Sequence, residues 1–180
     1  MAIKPAISLK VLFSQIFKDV CKSKYSNRIQ YVQEDSDWNI VQDSEYWDNG
    51  MVMVTNKKVG VLIPKDDMIF NFKNIEAISL SSKPIDKIIA DYNSDKMTRL
   101  QFNEIKCMDI YGTKNDKIAV FDCDKRIYDQ HVYIRMENLK YFNTDICRFY
   151  MLIDPYIQLS PVVITNVNCE LLGIVMPLCI

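Results

Sequence analysis

The sequence predicts an α+β protein, with antiparallel sheets and a few amphipathic helices, and three observations carry that expectation. The last third of the chain, residues 145–180, holds apolar runs at 146–153, 159–165 and 171–178, rich in Val, Ile, Tyr and Phe. Asp154-Pro155 and Asn166-Val167-Asn168 separate them, and runs of this length between such breaks read as strands. Second, Leu9, Leu12, Phe13, Ile16, Phe17 and Val20 follow at spacings of three, one, three, one and three, a single stripe at helical period. Third, strand-like and helix-like segments alternate along the middle of the chain, which mixes the two classes.

Taken in order, Ser8 is placed to cap the first helix. Lys10, Lys18 and Lys22 lie off its apolar stripe, and Lys24 and Arg28 carry the basic character beyond its end. Residues 28–34 and 38–42 read as a hairpin turning at the acidic segment 34–37, and 43–50 is a polar loop with Tyr46 and Trp47. Residues 51–55 and 59–63, joined by Asn56-Lys57-Lys58, predict a second hairpin. Ile69, Phe72, Ile75 and Ile78 stand three apart, as on a helix.

Ser81-Ser82-Lys83-Pro84 is the best boundary, which divides the chain into an N-terminal unit at 1–82 and a C-terminal unit at 83–180. Pro84 suits the first turn of a helix carrying Ile85, Ile88, Ile89 and Tyr92. Strands are expected at 98–102, 105–111, 117–123 and 131–135, with a turn at 112–116 and a short helical turn at 137–142. The three C-terminal strands follow, with apolar residues on both faces and therefore expected to be covered on both sides.

Composition excludes several classes. With 180 residues, 49% apolar and 25% charged, the chain can bury a core as one large domain or two small ones. A net charge of −1 gives no global attraction to nucleic acid, although a local patch is compatible with it. No apolar run reaches eighteen residues and the N-terminus lacks a signal-peptide core, so a cytoplasmic protein with no membrane partner is expected. Cys21, Cys107, Cys123, Cys147, Cys169 and Cys179 form no CxxC pair; their apolar settings predict buried thiols in a reducing compartment.

Catalytic chemistry finds little footing. His131 is the one histidine, and no local signature couples it to any cysteine as a nucleophile. Zinc-ligand spacing and Gly-rich phosphate loops are absent. Asp122 and Asp124 fall on one face of a strand and could hold a hard cation, but turn-edge carboxylates explain them as well. Asp35 with Asp37 and Asp66 with Asp67 are further acidic pairs, for which turn-edge carboxylates are the commoner explanation. Glu104-Ile105-Lys106, with Asp91 or Asp95 upstream, has the residue types of a metal-dependent nuclease core, in which carboxylates hold Mg²⁺ and the lysine positions water. That tripeptide is common by chance. No catalytic residue, metal or cofactor is expected.

The C-terminus Leu171-Leu172-Gly173-Ile174-Val175-Met176-Pro177-Leu178-Cys179-Ile180 resembles the closing strand of the bacterial-type DNA polymerase sliding clamp. The likeness reaches upstream through 132–142 and 160–164, where the order of strand, short helix and three strands is similar to that of the clamp's last domain. It implies a non-enzymatic processivity factor: a ring of subunits encircling duplex DNA without reading sequence and tethering a polymerase or other replication protein. In that family the C-terminal Met-Pro segment lines a hydrophobic peptide groove, here matched by Ile174, Val175, Met176, Pro177 and Leu178. Lys10, Lys18, Lys22, Lys24 and Lys87 would face phosphate, as lysines track a nucleic-acid backbone without reading bases. The family's terminal Arg-Leu is replaced by Cys179-Ile180, and the first unit lacks the last three strands of a clamp domain. The competing reading is a small phage or mobile-element protein that binds or inhibits a host protein, with the aromatic and acidic loop from Asp43 to Asp48 as the contact and Tyr46 and Trp47 as its aromatic anchors.

Overall fold

The computed structural model describes residues 39–41, 44–47, 50–64, 81–92, 96–110, 113–123, 131–153 and 160–178. The expected N-terminal helix with Lys10, Lys18, Lys22 and Lys24 lies outside these residues. So do the segments 28–34 and 68–78, Asp35, Asp37, Asp66, Asp67, Asp95 and Asp124. The chain divides into two compact units, Met1–Asp86 and Lys87–Ile180.

In the first unit β1 (Asn39–Val41), β2 (Met51–Thr55) and β3 (Val59–Pro64) form an antiparallel meander. β1 pairs with β2, Ile40 opposite Val54, across the loop that carries Trp47. The β2–β3 connection is the predicted Asn-Lys-Lys turn, and its chemistry is local. Asn56 Oδ1 accepts the N–H groups of Lys58 at 3.0 Å and Val59 at 2.9 Å, while Lys57 sits in the left-handed region at φ 68°. Val52, Met53, Val54, Val61 and Ile63 are buried.

The division between the units falls within α1 (Lys83–Ala90). The carbonyl of Ser82 accepts the N–H groups of Ile85 at 2.8 Å and Asp86 at 2.9 Å, which starts the helix. Pro84 occupies the first turn, where a missing N–H costs nothing. Ile85 and Ile89, one turn apart, are the helix's buried residues.

The second unit contains β4 (Met97–Ile110), β5 (Thr113–Cys123), β6 (His131–Arg135), α2 (Met136–Leu139), β7 (Arg148–Leu152), β8 (Val162–Thr165) and β9 (Leu171–Val175). Their order across the sheet is β9-β8-β7-β4-β5-β6, and each neighbouring pair is antiparallel. The strands thus form two three-strand meanders, β4-β5-β6 and β7-β8-β9, joined where the lead strands β4 and β7 pair. α1 precedes the first meander and α2 the second. Beyond β9, Leu178 donates its N–H to the Tyr133 carbonyl at 2.8 Å, so the chain leaving β9 bonds to β6.

Three strand expectations change. The segments 98–102 and 105–111 are one continuous strand, because Asn103 is absorbed as a bulge between Phe102 and Glu104. β5 begins at Thr113, so the turn predicted over 112–116 is shorter. Of the C-terminal strands only β8 is buried at every position; β7 alternates, with Phe149 and Met151 buried and Arg148, Tyr150 and Leu152 half-buried. β9 has half-buried Leu171 and Leu172 before Gly173, Ile174 and Val175 go inside. At the centre, fully buried Phe121 lies 4.9 Å from Phe149, and burying such a ring contributes about 3 kcal/mol.

Candidate functional site

The bulge in β4 shapes the most distinctive surface of the second unit. Without it, Phe102 and Ile105 would fall on opposite faces, since strand side chains alternate. With it, Phe102 lies opposite Phe121 and Ile105 opposite Ala119, two positions of one face of β5. Both are open to solvent, Phe102 at 55% and Ile105 at 50% exposure. Phe102 makes an edge-on contact with Phe121 at 5.8 Å, which anchors its ring while leaving one side uncovered.

On the other face β4 presents charged side chains. Glu104 and Lys106 pair with Val120 and Ile118, and Asp122 faces Gln101 on one side and His131 on the other. Lys106 Nζ lies 2.9 Å from Glu104 Oε1, and that contact holds the lysine above its ordinary value. Asp122 Oδ1 is 2.7 Å from His131 Nδ1, and Asp122 Oδ2 accepts the Asn103 amide N–H at 3.0 Å. The bulged residue thus braces an aspartate–histidine pair across three strands.

Sequence reasoning singled out His131, Asp122 and Glu104 separately. It did not anticipate that Asn103 would join the first two, because the link depends on cross-strand register. An Asn within a strand-like run was the available signal, since bulges favour such interruptions. For a nuclease-type site, Glu104 and Lys106 are engaged with each other on an exposed strand, and Asp91 lies just beyond α1. Among the described residues no three His, Cys, Asp or Glu side chains gather closely enough to hold a metal.

The expected groove residues separate into two groups. Ile174 and Val175 finish a core strand, opposite Val163 and Val162, and Val175 is fully buried. Met176 is exposed, while Pro177 and Leu178 are half-buried. Of the five, Met176, Pro177 and Leu178 keep surface in solvent. Lys87 is exposed on α1; the other four lysines lie outside the described residues.

The expectation of buried thiols is corrected. Cys107 and Cys169 are exposed, Cys123 and Cys147 are intermediate, and none of the four is in a disulfide; Cys21 and Cys179 lie outside the described residues. Cys107 lies on the outer part of the long β4–β5 hairpin, and Cys169 turns through a left-handed φ of 65° in the loop before β9. Burial pushes the Cys147 thiol up to about 11. Tyr92, edge-on to Tyr150 at 5.1 Å, has its phenol pushed up to about 12, chiefly by burial. In the competing reading Trp47 was an aromatic anchor; it is buried, whereas Tyr46 is exposed.

No helix of the described residues is long and apolar enough to cross a membrane. No family model matches the sequence, and no curated protein or solved structure matches the chain.

Proposed function

We propose that this chain is a non-enzymatic, sliding-clamp-like tethering protein that holds duplex DNA without reading its sequence and keeps a replication protein on it. The observation that carries the reading is the repeated order along the chain from α1 to β9: a helix and a three-strand meander, twice, with the lead strands β4 and β7 paired. Under this reading Lys10, Lys18, Lys22, Lys24 and Lys87 meet phosphates, and Met176, Pro177 and Leu178 receive a partner's apolar peptide. The protein acts in the cytoplasm as a ring of subunits, with a polymerase as the tethered partner.

Retention on DNA tests it. A topological tether, once loaded, stays on closed circular duplex at salt that strips ordinary electrostatic binders, and it leaves when the circle is cut. Equal loss from circular and linear DNA, or no retention on either, overturns the proposal.

A second reading, a protein-binding module aimed at a host protein, is favoured by exposed Phe102 and Ile105. It expects no DNA retention in any form, and loss of the host protein captured by wild type when Phe102→Ser and Ile105→Ser are combined.

A further inference from the structure

β4 is fourteen residues long, and β5 accompanies it from Leu100 to Ile110. On the opposite side β7 pairs only with Met97–Leu100. Among the described residues, no strand pairs with the side of β4 from Gln101 to Met108. Residues 101–105 are all exposed. A row of unpaired backbone N–H and C=O groups is a template for another strand.

Charge decides what kind of partner fits. From 104 to 117 the hairpin carries Glu104, Asp109 and Asp116 against Lys106, Lys114 and Lys117, three of each sign. A neutral ribbon has no electrostatic reason to seek phosphate. Its alternation of sign suits a strand of the same composition.

We propose that this edge pairs antiparallel with the same edge of a second copy of the chain, with the twofold axis at Ile105. Opposed residues must share a face, so the axis passes through a residue rather than between two. Centred on Glu104 the pairing sets glutamate against glutamate, and centred on Lys106 it sets lysine against lysine. Centred on Cys107 it brings no opposite charges together. Centred on Ile105 it places Glu104 opposite the partner's Lys106 and Lys106 opposite the partner's Glu104, on the face with the charged side chains. On the other face Ile105 meets the partner's Ile105, flanked by Phe102 of each copy. Opposite charges and apolar pairs directly across a ladder each stabilise it, and like charges destabilise it.

The bulge at Asn103 bounds the regular stretch, so the contact is short and the pair forms as concentration rises. This inference stands on the β4 edge and not on the DNA reading. One twofold contact makes a closed pair of subunits; a ring requires a second contact elsewhere.

The test is absolute mass by light scattering, over a wide concentration range, for wild type, Glu104→Lys, Lys106→Glu and an equal mixture of the two variants. Wild type is expected to reach twice the monomer mass, and each variant alone to stay monomeric. The mixture is expected to recover the dimer, because the two lysines of the first variant then face the two glutamates of the second across the axis. Within each variant chain the neighbouring charges remain alike, so recovery reports the contact between chains. If a charge variant does not fold, Ile105→Cys with Cys107→Ser replaces it; oxidation should cross-link two copies at the axis, where the Cα separation suits a disulfide. A wild type that stays monomeric, single variants that still dimerise, a mixture that stays monomeric, or no cross-link overturns the proposal. Failure here leaves DNA retention to be judged separately.

Discussion

Lys57 and Asn56 show how much a single residue decides. The β2–β3 turn needs one residue at positive φ, and an asparagine to accept two backbone N–H groups. Replacing Asn56 by Ala removes the oxygen that accepts both N–H groups and is expected to cost about 1 kcal/mol, measured as a shift in the denaturant midpoint. Cysteine reactivity is set at the same scale. Among the four described cysteines, Cys107 and Cys169 are expected to react first with a thiol reagent at neutral pH, and Cys147 last, because burial holds Cys147 in its unreactive thiol form. Mass spectrometry of partially labelled protein checks the order; early labelling of Cys147 would contradict it.

At the scale of elements, the central aromatic contacts of β4, β5 and β7 hold the two meanders together. Phe121 is fully buried between Phe102 and Phe149. Phe121→Ala is expected to destabilise the fold by about 3–5 kcal/mol through lost burial and a cavity. Phe102→Ala should cost much less, because half of its surface is already in water. Equal losses for the two would show that Phe102 is more deeply packed than its exposure indicates. The bond between Leu178 and Tyr133 is a second element-scale contact. Leu178→Pro removes the donor, with an expected loss of about 1 kcal/mol in chemical unfolding. Wild-type stability in this variant would mean that the bond contributes nothing measurable.

For the molecule as a whole, the two raised groups predict alkaline sensitivity. Folding lifts the Cys147 thiol from 9.0 to about 11 and the Tyr92 phenol from 10.0 to about 12. Both are neutral when protonated, and the folded state favours that form. The stability they contribute is therefore complete below pH 9, and is lost as pH rises from 9 towards 12. Thermal unfolding across that window should show a falling midpoint, less steep in Cys147→Ser. A midpoint independent of pH would contradict the assignment.

Much of the strand pattern was legible in the sequence because it is written locally. The β2–β3 hairpin, β6, α1 and the three C-terminal strands each follow from short apolar runs bounded by turn residues. Pro84 and Ile85 marked where α1 begins, and Asn56-Lys57-Lys58 marked a turn, because backbone preference acts within a few residues. Partnership between distant strands was not written in this way. Nothing near Asn103 states that it will be bulged against β5, since that depends on which residues of β5 lie opposite. Only the paired sheet puts Phe102 and Ile105 on one face, brings Asn103 and His131 to Asp122, and sends Val175 inside while leaving Met176 exposed. Side-chain period and turn chemistry belong to the sequence by itself, whereas register, and with it the exposed edge of β4, is a property of strands separated along the chain and was decided by the tertiary structure alone.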